Sequence, residues 1–244
     1  MTGETTRDAF LGGRLTLLQP ARGFRAGSDA VLLAAACPAR AGERVLDLGC
    51  GVGAAMYCLG HRVPGVSLTG VECDPETAAL ARRNGGAEVV EGDALDPPSA
   101  VRRSFDHVIC NPPYFAAGSG RPTADIAREA ALRDAGDFPR WLDAAVRRAG
   151  PKGSVTLIAR ADRFEEMIVG LSPRLGALVV LPIAARAGRA AQRVLVQGRK
   201  GRRAAMRLLA PLVLHEGPAH LDDGNDHSAA AERVLRHGGA LLLE

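Results

Sequence analysis

Short apolar runs alternate with segments of helical periodicity from Val45 to Ala159, and this alternation limits the fold more than any other feature of the chain. Residues 45–48 (VLDL), 67–72 (SLTGVE), 87–91 (AEVVE), 106–110 (DHVIC) and 154–159 (SVTLIA) read as strands. Helical patterns fall between them at about 54–62, 75–84 and 138–149. Parallel neighbours need long crossovers, so this order predicts a mostly parallel sheet covered by helices on both faces. A helix at 162–170 is expected next, then strands near 178–181 and 192–197 joined by a loop rich in Gly, Ala and Arg. The fold class expected is α/β, a doubly wound, mostly parallel, seven-stranded sheet with a late antiparallel hairpin.

The chain has 244 residues, 47% of them hydrophobic, which suits one well-buried domain. Residues 1–40 are expected to form a lead-in packing on the core, 41–200 the core, and 201–244 a C-terminal extension of the same domain. Within the lead-in, GGRLTLLQP suggests a short strand or hairpin. SDAVLLAAACP suggests a helix with Ser28 or Asp29 near its cap and Pro38 beyond its end. The tail reads as a loop, a helix at about 228–237 and a last strand. No run of 18 apolar residues occurs, and MTGETTRDAF lacks the basic and apolar segments of a secretory signal. A cytoplasmic protein with no membrane partner is expected. The five cysteines, at 37, 50, 58, 73 and 110, show no metal spacing and read as buried thiols; no metal site is expected.

Formal net charge is +4, but its distribution is more informative. Between Met167 and His215 there is no Asp or Glu, while Arg174, Arg186, Arg189, Arg193, Arg199, Lys200, Arg202, Arg203 and Arg207 all fall there. A surface that contacts phosphate is the reading that accounts for the missing acids.

The chemistry gathers at strand ends. VLDLGCGVG places Asp47 at the end of one strand and Gly49, Gly51 and Gly53 in the turn after it. Glycine tolerates positive φ and lets backbone N–H groups come close to a ligand. Glu72 ends the next strand, where an acid can accept both hydroxyls of a ribose. After the third strand, Asp93 can accept from an adenine amine, with the Ala94 N–H donating to a ring nitrogen. A dinucleotide site shares this plan, but Ala55 and Met56 stand where a third spaced glycine would fall.

After the fourth strand come Asn111, Pro112, Pro113 and Tyr114. Two prolines cannot continue a ladder, so the chain leaves the sheet stiffly, holding an amide and a ring over the crevice where α/β proteins bind ligands. An amide can accept from an amino group, and the rings of Tyr114 and Phe115 can stack on a flat substrate. That suits the exocyclic amine of a base or a side-chain amide.

The chain resembles the class I S-adenosylmethionine-dependent methyltransferases, which are Rossmann-like. More closely it resembles the small bacterial tRNA adenine-N6 methyltransferases that modify adenine 37 of valine tRNA. The resemblance rests on GGRLTLLQPARGFRAGSDAVLLAA, VLDLGCGVGAA, the GVE strand end, ALARRN, FDHVICNPPYF, ADRF and QRVLVQGRKG with LVLHEG. It implies that Asp47, Gly49, Gly51 and Gly53 lie under the methionine part of S-adenosylmethionine, that Glu72 binds its ribose, and that Asp93 and Ala94 bind its adenine. It places Gln19, Arg25, Gly27, Ser28 and Asp29 in a lead-in closing over cofactor and substrate, and Asn111, Pro112 and Tyr114 in the catalytic pocket. The tRNA is expected on Phe115 and on Arg186, Arg189, Arg193, Lys200, Arg202 and Arg203. The loop DDGNDHS departs from the family's usual ending. Trp141 reads as a packing residue. Competing acceptors are an rRNA or DNA base amine and a protein glutamine amide, and a non-enzymatic RNA-binding scaffold is the alternative of another class. No obligate protein partner is expected; the state is monomer or homodimer.

Overall fold

The structure, a computed structural model, describes residues 4–113, 138–217 and 226–243. Strands β1 (Thr5–Phe10) and β2 (Leu15–Pro20) pair antiparallel as a sheet of their own. Helix α1 (Ser28–Ala36) follows, buried from Ala30 to Ala36. The alternating region is β3 (Arg44–Leu48), α2 (Ala54–Arg62), β4 (Ser67–Glu72), α3 (Pro75–Asn84), β5 (Glu88–Glu91) and β6 (Phe105–Cys110). Beyond it lie α4 (Phe138–Arg148), β7 (Ala149–Arg160), α5 (Phe164–Leu171), β8 (Gly176–Arg186), β9 (Arg193–Arg199), β10 (Arg207–Leu208), β11 (Leu212–His215) and α6 (Ala229–Leu235).

Local sequence explains several boundaries. α3 starts at Pro75, where the missing N–H costs nothing, and the Asp74 carboxylate caps it by accepting from Thr77 N at 2.7 Å. Ser228 caps α6 through Ala231 N in the same way. In α4 the buried Phe138, Trp141, Leu142, Ala145 and Val146 repeat at helical spacing on one face.

The main sheet runs β10-β8-β9-β7-β6-β3-β4-β5, with β11 also paired to β8. Every pairing is parallel except those of β9, which is antiparallel to β7 and β8. The seven expected strands are all present, and the short β10 and β11 extend the sheet to nine. The expected last strand is not there: residues 238–243 form no strand. Gly238, at φ 67, turns the chain, and Leu241 N donates to Ala35 O, so the tail is tied to α1 instead. Two apolar cores lie either side of the sheet, one with α1, α2 and the lead-in hairpin, the other with α4 and α5. In β3, Val45 faces the first and Leu46 and Leu48 the second, as strand alternation requires.

The lead-in is fastened to α3 by one side chain. Asn84 accepts from Leu18 N at 2.7 Å and donates to Leu18 O and Val52 O at 2.9 and 3.0 Å. No described helix is long and apolar enough to cross a membrane.

Candidate active site

The register of the parallel strands brings four of the expected positions to one edge. Leu48 pairs with Val71 and with Cys110, and Glu72 pairs with Glu91. Asp47, Glu72, Asp93 and Asn111 therefore sit at or just beyond the carboxyl ends of β3, β4, β5 and β6. In sheet order the edge reads Asp93, Glu72, the glycine turn, Asn111. At about 4.8 Å per strand the row spans about 14 Å.

Gly49, Gly51 and Gly53 all have positive φ, at 67, 55 and 84. A Cβ on Gly49 would lie 2.8 Å from the Trp141 ring, and one on Gly53 would lie 2.5 Å from the Tyr57 ring. One on Gly51 would meet no described atom within 4 Å, so that face of the turn opens on space. Trp141 is thus the packed wall against which the turn closes, a closer association with the site than its expected packing role. Asp47 is 2% exposed, and its carboxylate accepts from Met56 N at 3.2 Å. It sits at the N-terminal end of α2, where a negative charge is favoured. Burial, reinforced by the charge of Glu72, still pushes it up to about 7.

Glu72 is oriented from both sides. Its carboxylate accepts from Gly51 N and from Asp74 N, each at 2.9 Å, which ties the glycine turn to the loop after β4. Asp93 is exposed, and its Oδ1 accepts from Leu95 N at 2.8 Å; Ala94 is buried.

In the lead-in, the buried Gln19 amide grips the Ala26 backbone, accepting from Ala26 N at 2.7 Å and donating to Ala26 O at 3.3 Å. Its amide nitrogen also donates to Asp8 at 2.6 Å, and Arg25 pairs with the same carboxylate at 2.5 Å. Asp8, which sequence reasoning missed, is therefore what fixes Arg25; no motif marks it, since it appears only as one polar residue in a hairpin. Gly27 and Ser28 are exposed at the start of α1, and a Cβ on Gly27 would meet no described atom within 4 Å. Asp29 pairs with Arg193 at 2.8 Å.

Asn111 is half-buried directly beyond β6, and Pro112 is buried behind it. Tyr114 and Phe115 lie outside the described residues. Cys37, Cys50, Cys58 and Cys110 are buried; burial pushes the thiols of Cys37 and Cys58 up to about 12. Cys73, against expectation, is exposed beside Glu72.

The basic stretch needs correction, because its cations do not form one face. β8 and β9 run in opposite directions, so Arg186, Arg189 and Arg193 sit at the carboxyl edge with the site while Lys200, Arg202 and Arg203 sit at the amino edge. Several are also committed within the protein. Arg186 donates to the carbonyls of Glu216 and Gly217 and pairs with Asp226 at 2.6 Å. His215 pairs with the same carboxylate at 2.7 Å, and Lys200 donates to Ala149 O at 2.7 Å. Arg189, Arg202 and Arg203 are exposed.

The edge carries two neighbouring acids, Asp93 and Glu72, and beside Glu72 an open glycine backbone, a lining that fits S-adenosylmethionine. A family model, the methyltransferase small domain, matches residues 24–137. The tRNA1(Val) (adenine(37)-N6)-methyltransferase of Aeromonas hydrophila is 31% identical over 186 residues, covering 73% of this chain and 78% of that protein. The protein of the same name from Actinobacillus succinogenes is 30% identical over 182 residues, covering 71% and 75%. Among solved structures, a predicted O-methyltransferase from Agrobacterium tumefaciens superimposes with a TM-score of 0.71 at 29% identity, over 88% of this chain and 98% of that one. The T. thermophilus 16S rRNA methyltransferase bound to AdoMet and guanosine shares the fold, with a TM-score of 0.55 at 23% identity over 83% of this chain and 46% of that one. With its sheet order, its strand-end acids and these relatives, the chain belongs to the tRNA1(Val) (adenine(37)-N6)-methyltransferase family of class I S-adenosylmethionine-dependent enzymes.

Proposed function

We propose that this protein methylates the N6 amine of an adenine in tRNA, position 37 of a valine tRNA. The observation that carries the reading is the order of groups along the carboxyl edge. From β5 to β6 it offers acceptors for an adenine, acceptors for a ribose, a bare glycine backbone, and then an amide with a proline carbonyl. Adenine, ribose and methionine follow one another in S-adenosylmethionine in the same order, and the methyl branches from the sulfur between the last two, where the Asn111 amide on the next strand would face it. Asp93 and Ala94 would hold the adenine, Glu72 the ribose, and Asp47 with Gly49, Gly51 and Gly53 the methionine end, while Arg25, Gly27 and Ser28 cover them. S-adenosylmethionine supplies an electrophilic methyl on a positively charged sulfur.

An exocyclic adenine amine is a weak nucleophile because its lone pair is delocalised into the ring. The Asn111 side-chain oxygen and the Pro112 carbonyl can each accept one of its N–H groups, drawing the nitrogen toward tetrahedral geometry. The lone pair is then localised and aimed at the methyl; as the N–C bond forms, the S–CH3 bond would break with its electron pair going to sulfur, leaving S-adenosylhomocysteine, and the extra proton on the amine would pass to water. Alignment and fixed dipoles carry the acceleration, so no strong base is required. Tyr114 and Phe115 would stack on the base, which must first leave its neighbours; that costs least in a loop. A hydroxyl acceptor would instead need a base after β6, where the chain has an amide and two prolines.

The test is methyl transfer to valine tRNA transcripts carrying adenine or guanine at position 37. Transfer to the first alone supports the reading; equal transfer to both contradicts it.

A further inference from the structure

Residues Gly201–Leu208 are all exposed and lie along the outer border of the sheet, Arg202–Ala204 at the amino edge opposite the site and Arg207–Leu208 beside Val179 and Val180. They hug the start of β8. Ala177 N donates to Ala204 O at 3.1 Å, and a Cβ on Gly176 would lie 1.8 Å from Arg202 O. Arg202, Arg203 and Arg174 border a cleft of about 490 Å³ there. Arg174 shares Asp143 with Arg147, but no described carboxylate pairs with Arg202 or Arg203. Positive charge is in excess around them: Lys200 is held below its ordinary value by burial and by Arg148 and Arg174.

The distance to the site follows from the register. One residue beyond Cys110, Asn111 is level with Leu181 of β8, by way of Ile158 and Leu195. From Leu181 back to Gly176 is five residues, and from β6 outward past β8 is four strand spacings. On a flat sheet that separation is about 25 Å. Successive nucleotides of one duplex strand advance only about 3 Å along the helix axis, so this separation spans several nucleotides. The cleft is thus too far away to touch phosphates beside the methylated base.

We propose that Arg202 and Arg203, at the cleft beside the start of β8, form a second RNA-contact surface that takes the phosphodiester backbone of the stem beneath the methylated loop. The inference rests on the RNA-substrate reading. Arginine suits this partner because its planar fork pairs bidentately with phosphate oxygens, and the stretch around it holds no acid to repel them. Contacts of this kind position the RNA without reading its bases.

The experiment compares two RNAs on the full chain: unmodified valine tRNA and a hairpin truncated to the loop and its adjoining base pairs. In Arg202→Glu/Arg203→Glu, KM for the tRNA should rise about tenfold or more with kcat unchanged, and the salt slope of binding should fall by about two. KM for the truncated hairpin should not move. The charge-preserving Arg202→Lys/Arg203→Lys should keep KM within about threefold of the original. A KM unchanged on both RNAs, or raised equally on both, overturns the proposal. If the unaltered protein methylates neither RNA, the RNA reading itself falls and takes the second surface with it.

Discussion

At Gly53 an added Cβ would meet the Tyr57 ring at 2.5 Å, whereas at Gly51, two residues earlier, it would meet no described atom within 4 Å. Both have positive φ, so both alanine substitutions cost about 1–3 kcal/mol of backbone strain. Gly53→Ala should lose more thermal stability, because the ring must also move. Gly51→Ala should lose cofactor affinity about tenfold or more in titration calorimetry, since its open side is the face proposed to meet the ligand; unchanged affinity would remove that face from the site. Asn111→Ala should lower kcat by about 100-fold or more while cofactor affinity stays within about threefold. Turnover retained within tenfold would take the amide out of catalysis. Asp47 carries a pH signature. Its folded pKa, raised by burial from 3.8 to about 7, means that the folded state resists ionisation. Stability is therefore lost as pH climbs from the unfolded value through the folded one. Asp47→Asn should melt higher than the unaltered ligand-free protein, by a margin that grows between about pH 4 and pH 7 and levels off above. A margin that shrinks over that range would contradict the assignment.

Among the elements, the amino ends of three neighbouring strands are clamped by one relay, buried at His107 and Ser154 and partly open at Glu43. His107 of β6 is 5% exposed, with Nδ1 at 2.7 Å from Ser154 Oγ on β7 and Nε2 at 2.8 Å from Glu43 Oε2 just before β3. The residue types are those of a hydrolytic triad, yet Ser154 is fully buried, so no substrate reaches its hydroxyl and the relay is structural. Burial acts on Glu43 in the upward direction, but the His107 bond and the Arg40 N–H outweigh it and hold the carboxyl below its ordinary value. A depressed acid stabilises above its unfolded pKa and loses that contribution as pH falls through the folded one. Glu43→Gln should therefore melt lower than the unaltered protein at neutral pH, with the gap closing below about pH 4. A gap that does not narrow on acidification would count against an ionised Glu43. His107 also shows where sequence reading runs out: alone in an apolar run, it gave no spacing to pair it with Glu43 or Ser154, which lie 64 and 47 residues away. The strands and α3 were legible because apolar period, Pro75 and the Asp74 cap agree locally. The tail was not, because LLL after Gly239 reads as a strand until the Leu241 bond to Ala35 claims its backbone. Asp8 was hidden because its partners are not local: Gln19 lies diagonally across the hairpin, where Asp8 itself faces Leu17, and Arg25 comes from the segment beyond β2.

Over the whole molecule, strand order is what turns separate motifs into one site. Asp93, Glu72, Gly51 and Asn111 run out of chain order across the sheet, because β3 lies between β4 and β6. The crossovers put the sequence's first motif in the middle of the row. The same topology divides the basic stretch. Its residue types spoke for phosphate, but only the antiparallel β9 decides that Arg202 and Arg203 lie at the far edge from Arg189. Net charge alone could not have told these apart. The central claim is the identity of the acceptor atom. The measurement that tests it most directly is transfer of labelled methyl from S-adenosylmethionine to bulk unmodified RNA, followed by digestion to nucleosides and mass spectrometry. The account predicts N6-methyladenosine confined to the tRNA fraction. Label on another nucleoside, in ribosomal RNA or on a protein glutamine would contradict it.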